Sequence, residues 1–93
     1  MLFVNKLVWD EWNTAHIARH GVSQAEVEEV CSGEPMIEQG YSERMRLVGP
    51  SLRGRMLSVV LAPKDKDVYY PVTARPASRK ERRKFQLQKE VKF

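Results

Sequence analysis

Apolar residues occur in this chain as short clusters separated by polar turns, and their spacing predicts strands and helices in a definite order. The predicted strands are Leu2–Val8, Met36–Gln39, Arg44–Val48, Arg55–Ala62 and Val68–Arg75, and the predicted helices are Glu11–Arg19, Gln24–Cys31 and Arg79–Lys89. Residues 56–61 are almost all apolar, which is typical of a strand buried on both faces. Short connections favour an antiparallel meander. The predicted fold is therefore α+β: an antiparallel sheet of four to five strands packed with two N-terminal helices and a C-terminal helix, in the order β-α-α-β-β-β-β-α.

Capping residues mark the predicted helix starts. Asp10 can cap the first helix. Ser23 with Glu26, and Ser78 with Glu81, have the S-x-x-E spacing of a capping box, in which each residue satisfies a backbone amide of the other. These signals predict that the second and third helices begin directly after the two serines.

Pro71 conflicts with the strand pattern around it. Proline has no amide hydrogen to donate to a sheet ladder. We therefore expect its strand to lie at an edge, to contain a bulge or to begin later than the apolar pattern suggests.

Length and composition limit the class of protein. We expect the 93 residues to form one domain over residues 1–93. No run of 18 apolar residues is present, so we expect no membrane-spanning segment. The N-terminal residues lack the features of a secretory signal. Cys31 is the only cysteine, which excludes an internal disulfide and favours a cytoplasmic location.

Positive charge is concentrated toward the C-terminus. Residues 1–41 hold two cations and seven carboxylates, a net charge of −5, whereas residues 42–74 carry +3 and residues 75–93 carry +6. A basic half joined to an acidic half suggests a polyanionic partner on one face. The alternative is a charged surface that only keeps the protein soluble.

The start of the last predicted helix favours the polyanion. A helix N-terminus is already partly positive, so each exposed cation there is unfavourable by about 0.3–1 kcal/mol. Arg79, Arg82 and Arg83 lie in these first turns and are spaced so that their charges also repel one another. We infer that these three arginines are held for an external anion, and we predict that they contact RNA.

Two histidines of the first helix are candidates for chemistry. His16 and His20 lie four residues apart and could face the same way, which suits a metal pair. No cysteine or histidine cluster completes a ligand shell, so we expect no metal and no cofactor. For His20, a general acid/base or phosphate-binding role stands beside a simpler role in ending the helix, where the dipole stabilises a protonated imidazole.

Tryptophans and strand arginines are further candidates. Trp9 and Trp12 either anchor the first helix or stack on a nucleobase, and Trp9 is the predicted RNA contact. Arg46 lies within a predicted strand, Arg55 opens one and Arg75 closes one. Guanidinium groups match phosphate oxygens in pairs, although a single strand-end arginine is usually a surface cation.

The remaining chemistry is that of a phosphodiester. The chain lacks a glycine-rich phosphate loop, a G-x-S-x-G motif and a C-x-x-C pair, which argues against P-loop, serine hydrolase and zinc chemistry. RNA carries its own nucleophile, the 2′-hydroxyl. An enzyme needs only to align that group, accept its proton and stabilise the charged transition state.

Several short segments together resemble the BrnT family of toxins from bacterial type II toxin–antitoxin systems. They are Trp9-Asp10-Glu11, Arg19-His20-Gly21-Val22-Ser23, Gly54-Arg55 and the run from Thr73 to Arg83. The resemblance implies a RelE-like fold and a metal-independent endoribonuclease with His20, Arg55 and Arg75 in its active site. It also implies a ribbon-helix-helix antitoxin (BrnA-like) as partner, with a homodimer or a toxin–antitoxin hetero-oligomer as the assembly.

A second hypothesis is that the chain has the basic face but no catalytic activity. The chain would then be a non-catalytic module that binds nucleic acid or a protein partner, such as a degenerate toxin homologue. A third alternative is a structural subunit whose basic helix docks on an acidic protein. RNA or DNA binding that weakens steeply with salt, without cleavage, distinguishes the binding module from the enzyme.

Overall fold

The computed structural model of the protein describes residues 3–90, and within them the predicted order β-α-α-β-β-β-β-α is confirmed. The elements are β1 (Lys6–Leu7), α1 (Glu11–Ala18), α2 (Gln24–Ser32), β2 (Met36–Gln39), β3 (Met45–Pro50), β4 (Met56–Asp65), β5 (Val68–Pro76) and α3 (Arg79–Glu90). A short 3-10 helix over Tyr41–Glu43 joins β2 to β3. Leu2, where the first strand was predicted to begin, lies outside the described residues. No helix within residues 3–90 has both the length and the apolar character needed to cross a bilayer.

The strands form one sheet in the order β1-β5-β4-β3-β2. Strands β2 to β5 are paired antiparallel with one another, as predicted. β1 corrects the prediction in two ways, because it has only two residues and pairs parallel with β5, Lys6 opposite Val68 and Leu7 opposite Tyr69. The sheet is therefore mixed. A long connection through two helices and three strands separates β1 from β5, and parallel pairing requires such a crossover.

Pro71 lies in β5 where the ladder to β4 shifts register. Val60 pairs with Thr73 and Leu61 with Pro71, which leaves Val72 as an extra residue. On the outer side, β1 pairs only with residues 68–69, and the Pro71 carbonyl instead accepts a hydrogen bond from Asn13 Nδ2 at 3.1 Å. Two of the predicted explanations, an edge and a bulge, thus apply together.

The two faces of the sheet are covered by different helices. One face packs against α1 and α2, and the buried residues of this larger core are Ile17, Val22, Val27, Val30, Leu47, Leu57, Val59, Leu61 and Ala74. The other face, which we call the α3 face, has a smaller core of Met36, Val48, Ala77 and Phe85. Within residues 3–90, α3 contributes one buried side chain, Phe85, so it covers only part of this face. Val60 and Thr73, farther along the α3 face, remain half-buried.

The helices begin at the predicted capping residues. The Asp10 carboxylate accepts a hydrogen bond from a backbone amide in the first turn of α1, and Ser23 and Glu26 form a capping box for α2. At α3, the Glu81 amide donates to Ser78 Oγ at 3.1 Å and the Ser78 amide donates to Glu81 Oε1 at 2.8 Å. The cap holds the basic first turns of α3 against the end of β5.

Candidate functional site

A row of side chains crosses the α3 face where β3, β4 and β5 run side by side. Residues directly opposite each other in antiparallel strands point to the same face. Ser58 in β4 lies opposite both Val48 in β3 and Arg75 in β5. Arg46 is two residues from Val48 in β3 and therefore points to the same face. The strand register thus brings Arg46, Ser58 and Arg75 onto one surface.

Glu81, in the first turn of α3, joins these side chains. Arg75 donates from Nη1 and Nη2 to the two Glu81 carboxylate oxygens, at 2.9 Å each. Arg46 Nη1 lies 3.4 Å from Glu81 Oε2. Ser58 Oγ donates to the same carboxylate at 3.3 Å and accepts a hydrogen bond from Arg46. We call Arg46, Ser58, Arg75 and Glu81 the arginine cluster.

The charges of this cluster favour the binding of an external oxyanion. Partial burial alone would raise the pKa of Glu81, but hydrogen bonds from Arg75 and the Ser78 amide, with the charges of Arg75 and Arg46, lower it to about 2. Glu81 is therefore ionised at neutral pH, and two cations against one anion leave the cluster positive. The Arg46 and Arg75 side chains are 34% and 37% exposed, whereas Glu81 is 14% exposed. The carboxylate lies behind the guanidinium groups, which retain accessible donors.

Helix α1 runs alongside β5 and brings His16 to that strand. Contacts between the two elements proceed in order: Asp10 with Tyr70, Asn13 with Pro71, and His16 Nε2 with Thr73 Oγ1 at 3.1 Å. His20 follows one turn after His16, with ring centroids 5.5 Å apart. Because Arg75 is the next residue after Thr73 to point to the same side of β5, this order places His20 toward the end of the strand that carries Arg75.

Arg55 lies apart from the arginine cluster. Its Nη1 donates to the Gly21 carbonyl at 2.8 Å and to the Glu26 carboxylate at 3.1 and 3.2 Å. Both partners belong to α2 and the turn before it, which pack on the opposite face of the sheet from α3. The structure therefore brings together Arg46 and Arg75 but not Arg55. Instead, Arg55 fixes the turn that directly follows His20.

The two tryptophans occupy different environments. Trp9 packs against the larger core, and its Nε1 donates to the Glu28 carboxylate at 3.0 Å. This placement agrees with the anchoring alternative. Trp12 is 59% exposed and stacks on His16, with ring centroids 4.8 Å apart and planes 7° from parallel. Of the two indoles, Trp12 has the more accessible ring.

The predicted RNA-contacting arginines of α3 are exposed. Arg79, Arg82 and Arg83 occupy the same first turns as Glu81. No carboxylate among residues 3–90 forms an ion pair with any of them. The nearby Lys84 does have a partner, because its Nζ lies 3.3 Å from Glu38 Oε2. These three arginines therefore carry exposed positive charge in the first turns of α3.

Other candidate chemistry has little support in this geometry. Within the described part of the chain, no three His, Cys, Asp or Glu side chains are grouped so that they could hold a metal ion. Burial, with a smaller effect from Glu28, raises the pKa of Cys31 to about 12. A thiol of this kind is not a nucleophile at neutral pH.

Three members of this site were not predicted from the sequence. Ser58 is the one polar residue in the apolar run over residues 56–61, and this interruption could have identified it from the sequence. A buried hydroxyl needs a hydrogen-bond partner, and Ser58 is buried. Glu81 was predicted only as a helix cap. Thr73, the partner of His16, carries no distinguishing signal in the sequence.

The sequence model of a family described as the ribonuclease toxin BrnT of type II toxin–antitoxin systems matches residues 9–81, which include both Arg75 and Glu81. The 1.1 Å crystal structure of the Brucella abortus ribonuclease toxin BrnT aligns with a TM-score of 0.64 at 23% identity, over 80% of this chain and 97% of that chain. At this identity the likeness shows the fold. No curated protein matches the chain.

Proposed function

Because this chain belongs to the BrnT family of ribonuclease toxins of type II toxin–antitoxin systems, we propose that it is a metal-independent endoribonuclease in which Arg46 and Arg75 bind the cleaved phosphate. The convergence of these two guanidinium groups on one partly open surface supports the proposal most directly. Guanidinium groups pair with carboxylate and phosphate oxygens through the same forked geometry. The contacts to Glu81 orient both arginines before any substrate arrives.

The proposed reaction uses the nucleophile that RNA supplies. The 2′-oxygen forms a bond to the adjacent phosphorus, and the bond from phosphorus to the 5′-oxygen breaks. The 2′-hydroxyl proton passes to a base, and the departing 5′-oxygen takes up a proton. The products are a 2′,3′-cyclic phosphate and a 5′-hydroxyl end. Arg46 and Arg75 would stabilise the additional negative charge on the non-bridging oxygens of the transition state.

We assign proton transfer to His20. An imidazole exchanges protons readily near neutral pH, and the contact of the His20 ring with His16, which binds Thr73 two residues before Arg75, supports this assignment. Glu81 is a poor base at neutral pH, because its pKa is about 2. Arg55 then acts as a positioning residue, since its hydrogen bond to the Gly21 carbonyl holds the turn next to His20.

Membership of this family also brings an antitoxin partner. We propose a ribbon-helix-helix antitoxin that neutralises the chain by covering the arginine cluster. The arginines at the start of α3 are assigned to the RNA backbone, because they lie beside Glu81 and form no ion pair within residues 3–90.

The test is RNA cleavage by purified, antitoxin-free protein in excess EDTA. We expect wild-type protein to cleave and to leave 2′,3′-cyclic phosphate ends, and we expect RNA with a 2′-deoxy substitution at the cleaved position to stay intact. Arg75→Ala and Arg46→Ala should fold, as judged by circular dichroism, and lose cleavage by about 100-fold or more. Arg44→Ala is the matched control, because Arg44 is exposed just before β3 and lies outside the cluster. Intact RNA after incubation with folded wild-type protein would refute the proposal, and salt-sensitive binding alone would favour the non-catalytic module.

A further inference from the structure

We propose that Trp12 and His16 form a nucleobase platform along the strand edge that also carries Arg75, on which one base of the bound RNA stacks. This inference rests on the proposed function, because it concerns how RNA lies across the same site. It adds a base-binding position to a site that otherwise contacts only the sugar–phosphate backbone.

The first support is the accessible ring of Trp12. Tryptophan side chains are usually well buried, yet Trp12 is 59% exposed. His16 stacks against one side of the indole at a centroid distance of 4.8 Å. Within residues 3–90, His16 is the one aromatic ring that stacks on Trp12. With 59% of the residue exposed, much of the indole surface is accessible to a planar ligand.

The second support is that the stack is held in place. His16 is fixed by the hydrogen bond from its Nε2 to Thr73 Oγ1 at 3.1 Å and by the edge of the His20 ring. Trp12 precedes His16 by four residues on the same side of α1. A platform that is already ordered loses little side-chain entropy when it binds a base.

The third support is that the platform and Arg75 lie along the same strand edge. Thr73, which binds His16, and Arg75 are two residues apart in β5 and point to the same side, about 7 Å apart along the strand. Trp12 precedes His16 in α1 and lies farther from Arg75 than Thr73 does, so the bound RNA would extend along β5 from the arginine cluster to Trp12. Past residue 69, β5 is a sheet edge, so no neighbouring strand of the described chain separates the stack from solvent. Single-stranded RNA binds in this way, with phosphates on cations and unstacked bases on aromatic side chains.

Nearby negative charges limit the number of bases that the platform can bind. Asp10 and Glu11 directly precede Trp12, and both are exposed. Hydrogen bonds from the Asn13 amide and the Tyr70 hydroxyl lower the pKa of Asp10 and keep it ionised, with burial opposing. These carboxylates would repel further phosphates beyond Trp12. The structure therefore assigns one base to the platform.

The test measures binding of a short single-stranded 2′-O-methyl RNA, which cannot be cleaved through its 2′-oxygen. We expect Trp12→Ala to weaken binding by about 5- to 150-fold, the range for loss of one stacked base. Trp12→Phe should retain most of the affinity. Tyr41→Ala is the matched control, because Tyr41 is an aromatic residue with 92% exposure outside the site. Circular dichroism melting should show the three variants folded.

Abasic substitution separates stacking from other effects of the mutation. An RNA that lacks the base at one position should bind wild-type protein more weakly than intact RNA does. Trp12→Ala should bind this abasic RNA and intact RNA equally well. Trp fluorescence should be quenched by RNA in wild-type protein and much less in Trp12→Phe, which retains Trp9 as its only indole.

The outcomes are distinct. If wild-type protein neither binds nor cleaves RNA, the proposed function and the platform both fail. If wild-type protein binds and Trp12→Ala binds equally well, the platform alone is refuted. The platform is also refuted if Trp12→Ala weakens the binding of abasic RNA by the same factor as the binding of intact RNA. Normal RNA binding by Trp12→Ala with loss of antitoxin binding would reassign Trp12 to the protein partner.

Discussion

Both carboxylate oxygens of Glu81 accept hydrogen bonds from Arg75, at 2.9 Å each, while one of them also accepts the Ser78 amide that begins helix α3. One side chain therefore sets the start of the helix and the orientation of an arginine in β5. The arginines of α3 and those of the sheet are held in a fixed relation by this carboxylate. The two roles share Glu81 Oε1, but the Glu81 backbone amide donates only to Ser78 Oγ, so a change at Ser78 Oγ acts on the cap without removing the contacts to the arginines.

Replacing Glu81 by Gln should lower both the cleavage rate and the stability. Glutamine is also a capping-box residue, so the α3 cap is retained, but the charge that holds Arg46 and Arg75 is lost. We expect the single-turnover rate at saturating RNA to fall by about 10- to 100-fold through mispositioning. The RNA dissociation constant should stay the same or decrease, because a competing anion has been removed.

Ser78→Ala is the matched control for this substitution. It removes the hydroxyl that accepts the Glu81 amide and leaves the contacts between Glu81 and the arginines. We expect it to cost about 1 kcal/mol of stability, measured by urea unfolding, with cleavage retained. An unchanged single-turnover rate in Glu81→Gln would show that the carboxylate does not position the arginines.

Stability should fall in acid through the titration of Glu81. Its pKa in the folded protein, about 2, is below its ordinary value of 4.5. The stabilisation is therefore fully present above about pH 5 and is lost as the pH falls through the folded pKa. The shift corresponds to up to about 3 kcal/mol. Urea unfolding at a series of pH values should show that the difference in the free energy of unfolding between wild-type protein and Glu81→Gln becomes smaller from about pH 5 to pH 2. A constant gap over this range contradicts the prediction.

Arg55→Ala should act on stability and on the turn after His20, and should leave phosphate binding intact. The Arg55–Glu26 pair is partly exposed, so we expect a loss of about 1 kcal/mol, which lowers the melting temperature by about 4–8 °C. Cleavage should fall because Gly21 is no longer held, while RNA affinity is unchanged. Arg53→Ala, an exposed arginine in the preceding turn, is the control. Lost RNA affinity with normal melting in Arg55→Ala would instead place Arg55 at the phosphate.

The arginines at the start of α3 should account for part of the salt dependence of RNA binding. Each phosphate contact on a single strand contributes about 0.7 to the slope of log K against log salt. Removing Arg79, Arg82 and Arg83 together should therefore reduce that slope by about 2. A variant with Arg44, Arg53 and Lys66 changed to Ala loses the same charge elsewhere and should keep the wild-type slope. Equal slopes in the two triple variants would show that α3 does not contact the RNA backbone.

Local features of the sequence determined the order of the elements and the helix starts. A capping box joins residues three positions apart, so Ser78 and Glu81 identify the start of α3 without knowledge of the rest of the fold. Pro71 predicted an irregular strand for a similarly local reason, because proline has no amide hydrogen to donate to the sheet ladder. The motifs around His20 and Arg75 also sufficed to indicate the family that the comparisons then showed.

The tertiary structure alone decided which of the candidate residues meet. Arg46, Ser58 and Arg75 converge because β3, β4 and β5 are neighbours in a particular register, and Arg55 points to the other face of the same sheet. The short connections predicted that these strands are neighbours, but their register depends on burying apolar side chains from the whole chain, and sequence spacing does not encode it. The parallel pairing of β1 and the exposure of Trp12 rather than Trp9 follow from the same packing. Local chemistry thus specified the residue types, and long-range packing of the sheet specified which of them share a surface.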